Sequence, residues 1–246
     1  MCRVRFVSDL NLFTRRSQAA EHHAALCSAA ARSQVFVLGG DIFDFRWSML
    51  ADTRSTVDAA IRWLEELSAA HPDCHFHYLL GNHDYCRPLL ERLGQLPATV
   101  PILSWLRFYL RLGDCRFLLG VAAGRRMTPE KLARRRAQWL HAEPVGGFRR
   151  RAYDLFMETG LLRPIPYLVH TRRRAARRIA RYLECLGEGP QSGVRNVFFG
   201  HTHRRVSNYR YRGLTFHNGG APIGGQQFHV LETVVEGVAR ISHRAE

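Results

Sequence analysis

The sequence predicts an α/β protein built on a largely parallel sheet. Two observations carry this. Three short apolar runs, VRFVSD (4–9), VFVLGGD (35–41) and FHYLLGNHD (76–84), have the length of buried strands, and segments of helical character separate them. Strands that alternate with helices form right-handed βαβ units and pair in parallel. The chain has 246 residues, 46% of them hydrophobic, enough for one large domain or two small ones with a sizeable core.

In chain order, VRFVSD is the first strand. Residues 16–32 are alanine-rich and predicted helical. VFVLGGD is the second strand. Residues 53–70 follow a helical period that sets Val57, Ile61, Leu64 and Leu67 on one side. FHYLLGNHD is the third strand. After Pro101, LRFYLRLGD (106–114) and CRFLLG (115–120) read as a hairpin turning at Gly113-Asp114. Residues 128–186 are mainly helical and strongly basic. Short strands return in VRNVFFG, RVSNYRYRG, LTFHNGG, QFHVLETVV and GVARISH. With no internal repeat and no low-complexity linker, the pattern predicts one domain over 1–246, with the basic helical block at about 125–186 as an insertion in it.

The apolar runs share one feature: each stops at polar residues. The first ends at Asp9, with Asn11 two residues on. The second ends in GGDIFD, with Asp41 and Asp44. The third ends in Asn82, His83 and Asp84. NVFFGHTH ends in His201 and His203. Alone, Asp9 also reads as a helix cap, Asp41 as a turn residue, and the two histidines as a surface pair. Their recurrence at strand ends is the signal, because ligands of α/β sheets bind outside the carboxyl ends of the strands. Carboxylates, an amide oxygen and imidazoles together suit divalent Mn, Fe, Zn or Ni. Two such ions can hold a phosphoryl group and acidify a bound water.

The motifs SDLN, GGDIFD, GNHD and GHTH, in this order, resemble those of the calcineurin-like metallophosphoesterases. The resemblance implies a four-layer α/β/β/α sandwich with a two-metal centre at the sheet edges. It implies that Asp9 and His203 bind one ion, Asp41 bridges, and Asn82 and His201 bind the other. His83 would donate to the phosphoryl group or the leaving oxygen, and Asp84 would orient His83. The helical insertion before GHTH makes the chain look most like the UDP-2,3-diacylglucosamine pyrophosphatase branch, which cleaves a nucleotide-lipid pyrophosphate beneath a helical cap. That branch usually has arginine where His83 stands.

Two departures bear on activity. The family's first motif is Asp-x-His, and this chain has Asn11, a weaker donor than imidazole. A His-Gly usually precedes GHTH in a separate strand, and the corresponding stretch, RFLLGVAAG, places Leu119 before Gly120. Leucine cannot ligate a metal. His170 follows an apolar run and is a candidate replacement, although it also reads as a capping or partly buried histidine; His217 and His229 have weaker claims. The expected function is a metal-dependent phosphoesterase acting on a phosphodiester or pyrophosphate. The alternative is a degenerate member that binds a phosphate ligand or a partner without turnover.

The net charge is +15, and Lys131 is the only lysine. Between residues 125 and 181 there are 16 basic and 4 acidic residues, so this third of the chain carries most of the excess. Such charge favours anionic partners. The arginines cluster in helices without the interleaved aromatics of a base-stacking platform, which argues against nucleic acid. Arg174, Arg177, Arg178 and Arg181 recur on one helical face, with Ala176, Ile179, Ala180 and Leu183 opposite, as in helices that lie on anionic membranes. The six cysteines have no CxxC spacing, the first ten residues lack the apolar run of a signal peptide, and no segment has the length of a membrane span. These features predict reduced thiols and a cytoplasmic protein, with peripheral contact at the inner face of the membrane.

Overall fold

The computed structural model describes residues 1–141, 145–148, 151–152, 155 and 171–236. The predicted parallel sheet is present. Strands β1 (Cys2–Val7), β2 (Val35–Gly39), β3 (His75–Leu79) and β4 (Leu103–Leu106) pair in parallel, and β10 (Leu231–Val235) adds antiparallel to β1, giving the order β10-β1-β2-β3-β4. A second five-stranded sheet has the order β5-β6-β7-β9-β8, from β5 (Tyr109–Leu112), β6 (Cys115–Leu118), β7 (Asn196–Phe199), β8 (Val206–Tyr211) and β9 (Leu214–Asn218). Its central pairs β6–β7 and β7–β9 are parallel.

Helices α1 (His23–Ala31), α2 (Thr53–Ala69) and α3 (Arg87–Gln95) cover the first sheet. Leu26, Ile61, Leu64, Leu89 and Leu93 pack there on Phe36, Leu38, Phe76 and Tyr78. Between the sheets, Val4, Phe6, Val37 and Leu79 meet Leu110, Leu112, Phe117 and Phe198. The Phe117 and Phe198 rings stack at 4.9 Å, and Phe6 leans on both. On the far side of the second sheet, α4 (Val121–Gly124), α5 (Pro129–Trp139) and α6 (Arg172–Cys185) pack Ala122, Leu132, Ile179 and Leu183 on Val197, Phe199 and Phe216. The result is the expected four-layer α/β/β/α sandwich.

Local signals explain most of the elements. Asp52 caps α2 by accepting the Ser55 N–H, and Val57, Ile61, Leu64 and Leu67 form its buried stripe as expected. The α6 stripe is likewise buried through Ala176, Ile179, Ala180 and Leu183. Three readings need correction. The helix predicted from residue 16 begins with a 3-10 turn at Ala19 and becomes α-helical at His23. Helix α3 was not expected, although Pro88 in its first turn and the Leu89–Leu93 spacing are consistent with it. Residues 106–114 are not one hairpin arm. Leu106 closes the first sheet and Tyr109 opens the second. Leu106, Leu110 and Leu112 all enter the core between the sheets, so their alternation runs on through the change of sheet. The 115–120 arm and the Gly113-Asp114 turn are as predicted.

Of the basic block, α5 and α6 are described, and both pack on the second sheet. His170 and most of the segment between these helices lie outside the described residues, as does GVARISH. Cys2, Cys74, Cys86 and Cys115 are buried, Cys27 is half-buried and Cys185 is exposed. No helix among the described residues is long and apolar enough to cross a membrane.

Candidate metal centre

Parallel pairing of β1, β2 and β3 brings their carboxyl ends to one edge of the first sheet. Asp9, Asp41 and Asn82 follow these ends by two or three residues. His201 and His203 follow β7, a strand of the second sheet, by the same kind of step. The two sheet edges are laced together. The His201 amide donates to both oxygens of Asp9 at 2.8 and 2.9 Å, across 192 residues of chain. The amides of Asp9 and Asn11 donate to the carbonyls of Gly40 and Asp41, both at 3.0 Å.

Backbone strain is concentrated here. Asp9, Asn11, Asp41, His201 and His203 all lie in the left-handed region, with φ of 57°, 48°, 52°, 70° and 53°. Each such conformation costs a non-glycine residue on the order of 1–3 kcal/mol and persists only where its surroundings impose it. Close approach of the loops adds a packing constraint. A Cβ on Gly81 would stand 2.1 Å from Asp41 Oδ1, and one on Gly200 would stand 2.6 Å from Asp9 Oδ2.

Asp9 is fully buried. Its Oδ2 also accepts from Ser8 Oγ at 2.6 Å, and His203 Nε2 stands 3.6 Å from its Oδ1. Asp41 Oδ1 accepts the His83 amide at 2.8 Å, and His201 Nδ1 stands 3.8 Å from Oδ2. Burial, then the Asp41 carboxylate, push the Asp9 carboxyl well above the usual range. Burial acts on Asp41 in the same sense, but the imidazoles of His83 and His201 outweigh it and hold that carboxyl low. Burial, reinforced by Arg16 and His201, pushes His203 down to about 3, so it presents the neutral ring a metal requires.

His83 and Asp84 part company. Burial disfavours the charged ring of His83, but Asp44, then Asp41, overcome this and raise it to about 9. The carboxylate beside the His83 ring is therefore Asp44, whose Oδ1 lies 3.1 Å from Nδ1. Asp84 has another task. It accepts the amides of Gly81 and of Ile42, the latter at 3.0 Å, and so ties the end of β3 to the end of β2. Burial, then Asp41, raise its carboxyl to about 7. Asp44, three residues after Asp41 in GGDIFD, is thus the carboxylate found at His83 Nδ1, while the oxygens of Asp84 go to backbone amides. Asp44 is itself held by the Arg46 and Trp47 amides at 3.1 Å and by Arg16 Nη2 at 2.7 Å. Arg16 carried no motif signal in the sequence.

The donor set fits divalent ions only with the amides included. Among the described residues, no three His, Cys, Asp or Glu side chains are grouped to hold a metal by themselves. They come in pairs, Asp9 with His203 and Asp41 with His201. Asn11 Oδ1, Asn82 Oδ1 and Asp41 Oδ2 are buried oxygens with no hydrogen-bond partner. Buried polar atoms are rarely left so, and the two amide oxygens add hard donors to those the carboxylates of the pairs already offer. Leu119 is also at the centre. It follows Leu118, which pairs with Phe199, so it is level with Gly200, and a Cβ on Gly40 would meet its Cδ1 at 3.0 Å. An apolar side chain thus lies close to the ends of β2 and β7. His217 lies on β9, its ring stacked on Phe198 at 4.7 Å, and His229 follows the second sheet; neither contacts Asp9 or Asp41 by any observed bond.

Two packed sheets whose strand ends join carboxylates, amides and imidazoles define a metal-dependent phosphoester hydrolase. The chain belongs to the calcineurin-like phosphoesterase family, whose model matches residues 2–205. It is also similar to the crystal structure of a dimetal phosphatase from Danio rerio, at 14% identity and a TM-score of 0.47, covering 91% of this chain and 88% of that one. No curated protein matches the sequence.

Proposed function

We propose that the chain hydrolyses a phosphodiester or pyrophosphate bond, with a nucleotide-lipid among the substrates its branch resemblance favours. The observation that carries this is the meeting of Asp9, Asp41, Asn82, His83, His201 and His203 at the joined edges of both sheets. Asp9 and His203 would hold one ion, Asn82 and His201 a second, with Asp41 between them and Asn11 as an added oxygen donor. When bound, two divalent ions supply an acidified water and positive charge for the phosphoryl oxygens. His83, partly exposed beside them, donates to the phosphoryl group or the leaving oxygen. Asp44 sets its ring.

A second reading has its own observation. On this reading, Leu119 near the centre and asparagine at position 11 leave a phosphate binder without turnover. Turnover of bis(p-nitrophenyl) phosphate with added Mn²⁺, measured beside metal content, separates the two. The wild type is expected to turn over. Asn11→His with Leu119→His is expected to bind metal at least about tenfold more tightly, since even outer-shell partners are worth 10- to 100-fold. A wild type that holds metal and hydrolyses nothing would favour the binder.

We place the protein in the cytoplasm, with its α6 face on the anionic inner surface of the membrane. Arg174, Arg177 and Arg181 are exposed on this helix, and Thr171, Arg173, Arg174 and Arg177 line an open hollow of about 560 Å³. Arg178 does not belong to that face. Its Nη1 donates to the carbonyls of Ala123 and Gly124 and so caps α4. Near an acidic surface each arginine is worth about 1 kcal/mol. Changing Arg174, Arg177 and Arg181 to glutamine is therefore expected to lower cosedimentation with phosphatidylserine vesicles about a hundredfold. Hydrolysis of the small diester is expected to stay unchanged. Equal binding of the wild type to neutral vesicles would exclude this surface.

A further inference from the structure

We infer that the protein carries a second ligand site, for a small aromatic carboxylate, in a hollow between α5, α6 and β5. The hollow has a volume of about 340 Å³, within the range of small-molecule sites. Among the described residues, its walls are the rings of Phe108, Tyr109 and Tyr182, with Ala133 of α5 and Leu186 just after α6. None of the residues assigned to the metal centre lines it.

Two buried arginines stand behind these rings. Arg116 Cζ lies 3.8 Å from the centroid of the Tyr109 ring, and Arg136 Cζ lies 4.2 Å from that of Phe108. Tyr182 is close enough to both that their charges act on its hydroxyl. Arg116 is fully buried and meets Glu188 at 3.0 Å, but Glu188 also meets Arg111 at 3.0 Å. One carboxylate is therefore shared between two guanidiniums. Arg136 is 4% exposed and has no carboxylate partner among the described residues, and its Nε and Nη1 make no hydrogen bond. Burial lowers it to about 10, so it remains charged at neutral pH.

Packing alone does not call for these charges, because an apolar side chain of similar volume fills such a place without the cost of a buried cation. Uncompensated positive charge behind an apolar wall favours an anion in the hollow and disfavours a cation, and the low dielectric of the surroundings strengthens both effects. The carboxylate on the lining, Glu130, is exposed and already accepts from Thr128 Oγ1 at 2.6 Å. Three aromatic rings in one small wall suit a flat aromatic body that packs against them. The ligand class is thus a ring system that bears one anionic group.

The test is calorimetric titration of the full chain, with Mn²⁺ present, by 2-naphthoate and by neutral 2-naphthamide. The wild type is expected to bind naphthoate saturably and to prefer it to the amide by about tenfold, the order of one charge acting across a few ångströms of protein. Ala133→Trp fills the hollow from an exposed helical position. It is expected to lose at least about tenfold in affinity for both probes, as apolar contact area is taken away, with an unchanged melting temperature. Arg136→Met, shown to be folded by the same melt, is expected to shrink the preference for naphthoate and to leave amide binding unchanged. No saturable binding by the wild type, or equal affinity for the two probes, would overturn the assignment without any variant. Unchanged naphthoate binding in Ala133→Trp would place the probe elsewhere, at the metal centre for instance, and would overturn it too. A preference for naphthoate that persists in full in folded Arg136→Met would overturn it as a site selected by buried charge.

Discussion

Asp41→Asn is expected to strip both ions from the protein and to lower diester turnover by at least about a hundredfold, with little change in melting temperature. The substitution keeps an oxygen that can accept the His83 amide, a bond of 2.8 Å in the wild type. It removes the charge from a carboxylate that contacts both His83 and His201. Losing even an outer-shell partner costs a metal site 10- to 100-fold, and loss of a shared charged ligand costs more. Asp41→Ala removes the acceptor as well. It leaves the part-buried His83 amide unpaired, at an added cost of up to about 1–3 kcal/mol in stability. Asp9→Ala, by contrast, is expected to empty mainly the ion shared with His203. Metal analysis beside calorimetric melting separates these effects. Full metal content in Asp41→Asn would rule out a centre in which this residue is shared.

Gly81→Ala is expected to be nearly as damaging, although no ligand is altered. The added Cβ would stand 2.1 Å from Asp41 Oδ1 and 2.2 Å from the Asp41 amide nitrogen. The second of these is backbone, so a side-chain rotation cannot relieve the clash. Overpacking of this kind costs about 1–3 kcal/mol. The relief available is to push Asp41 out of its place, and activity should fall with stability. Gly94→Ala is the control. It lies within α3 with nothing near its would-be Cβ, so alanine is expected to stabilise by about 0.4–1 kcal/mol. If urea denaturation ranked Gly81→Ala with Gly94→Ala, the close packing of the β2 and β3 ends would be wrong.

Much of this protein is legible in its residues. Val57, Ile61, Leu64 and Leu67 announce α2 because burial of one helical face demands that spacing. Asp9, Asp41, Asn82 and His201 announce a centre because parallel strands deliver their carboxyl ends to a common edge. Both are properties of short segments, and a segment carries its own period and its own terminal residues. The change of sheet between Leu106 and Tyr109 is not such a property, since both flanking strands face one core and show it the same alternation. Nor is the carboxylate that attends a given imidazole. Asp84, next to His83 in sequence, spends its oxygens on the amides of Gly81 and Ile42, and Asp44 comes to the ring from the end of another strand. Arg16 reaches the same carboxylate from a third loop. Period and strand-end chemistry were therefore set by the sequence alone. The pairing of charges across loops was decided by the tertiary structure, because it depends on distances between segments that no single segment encodes.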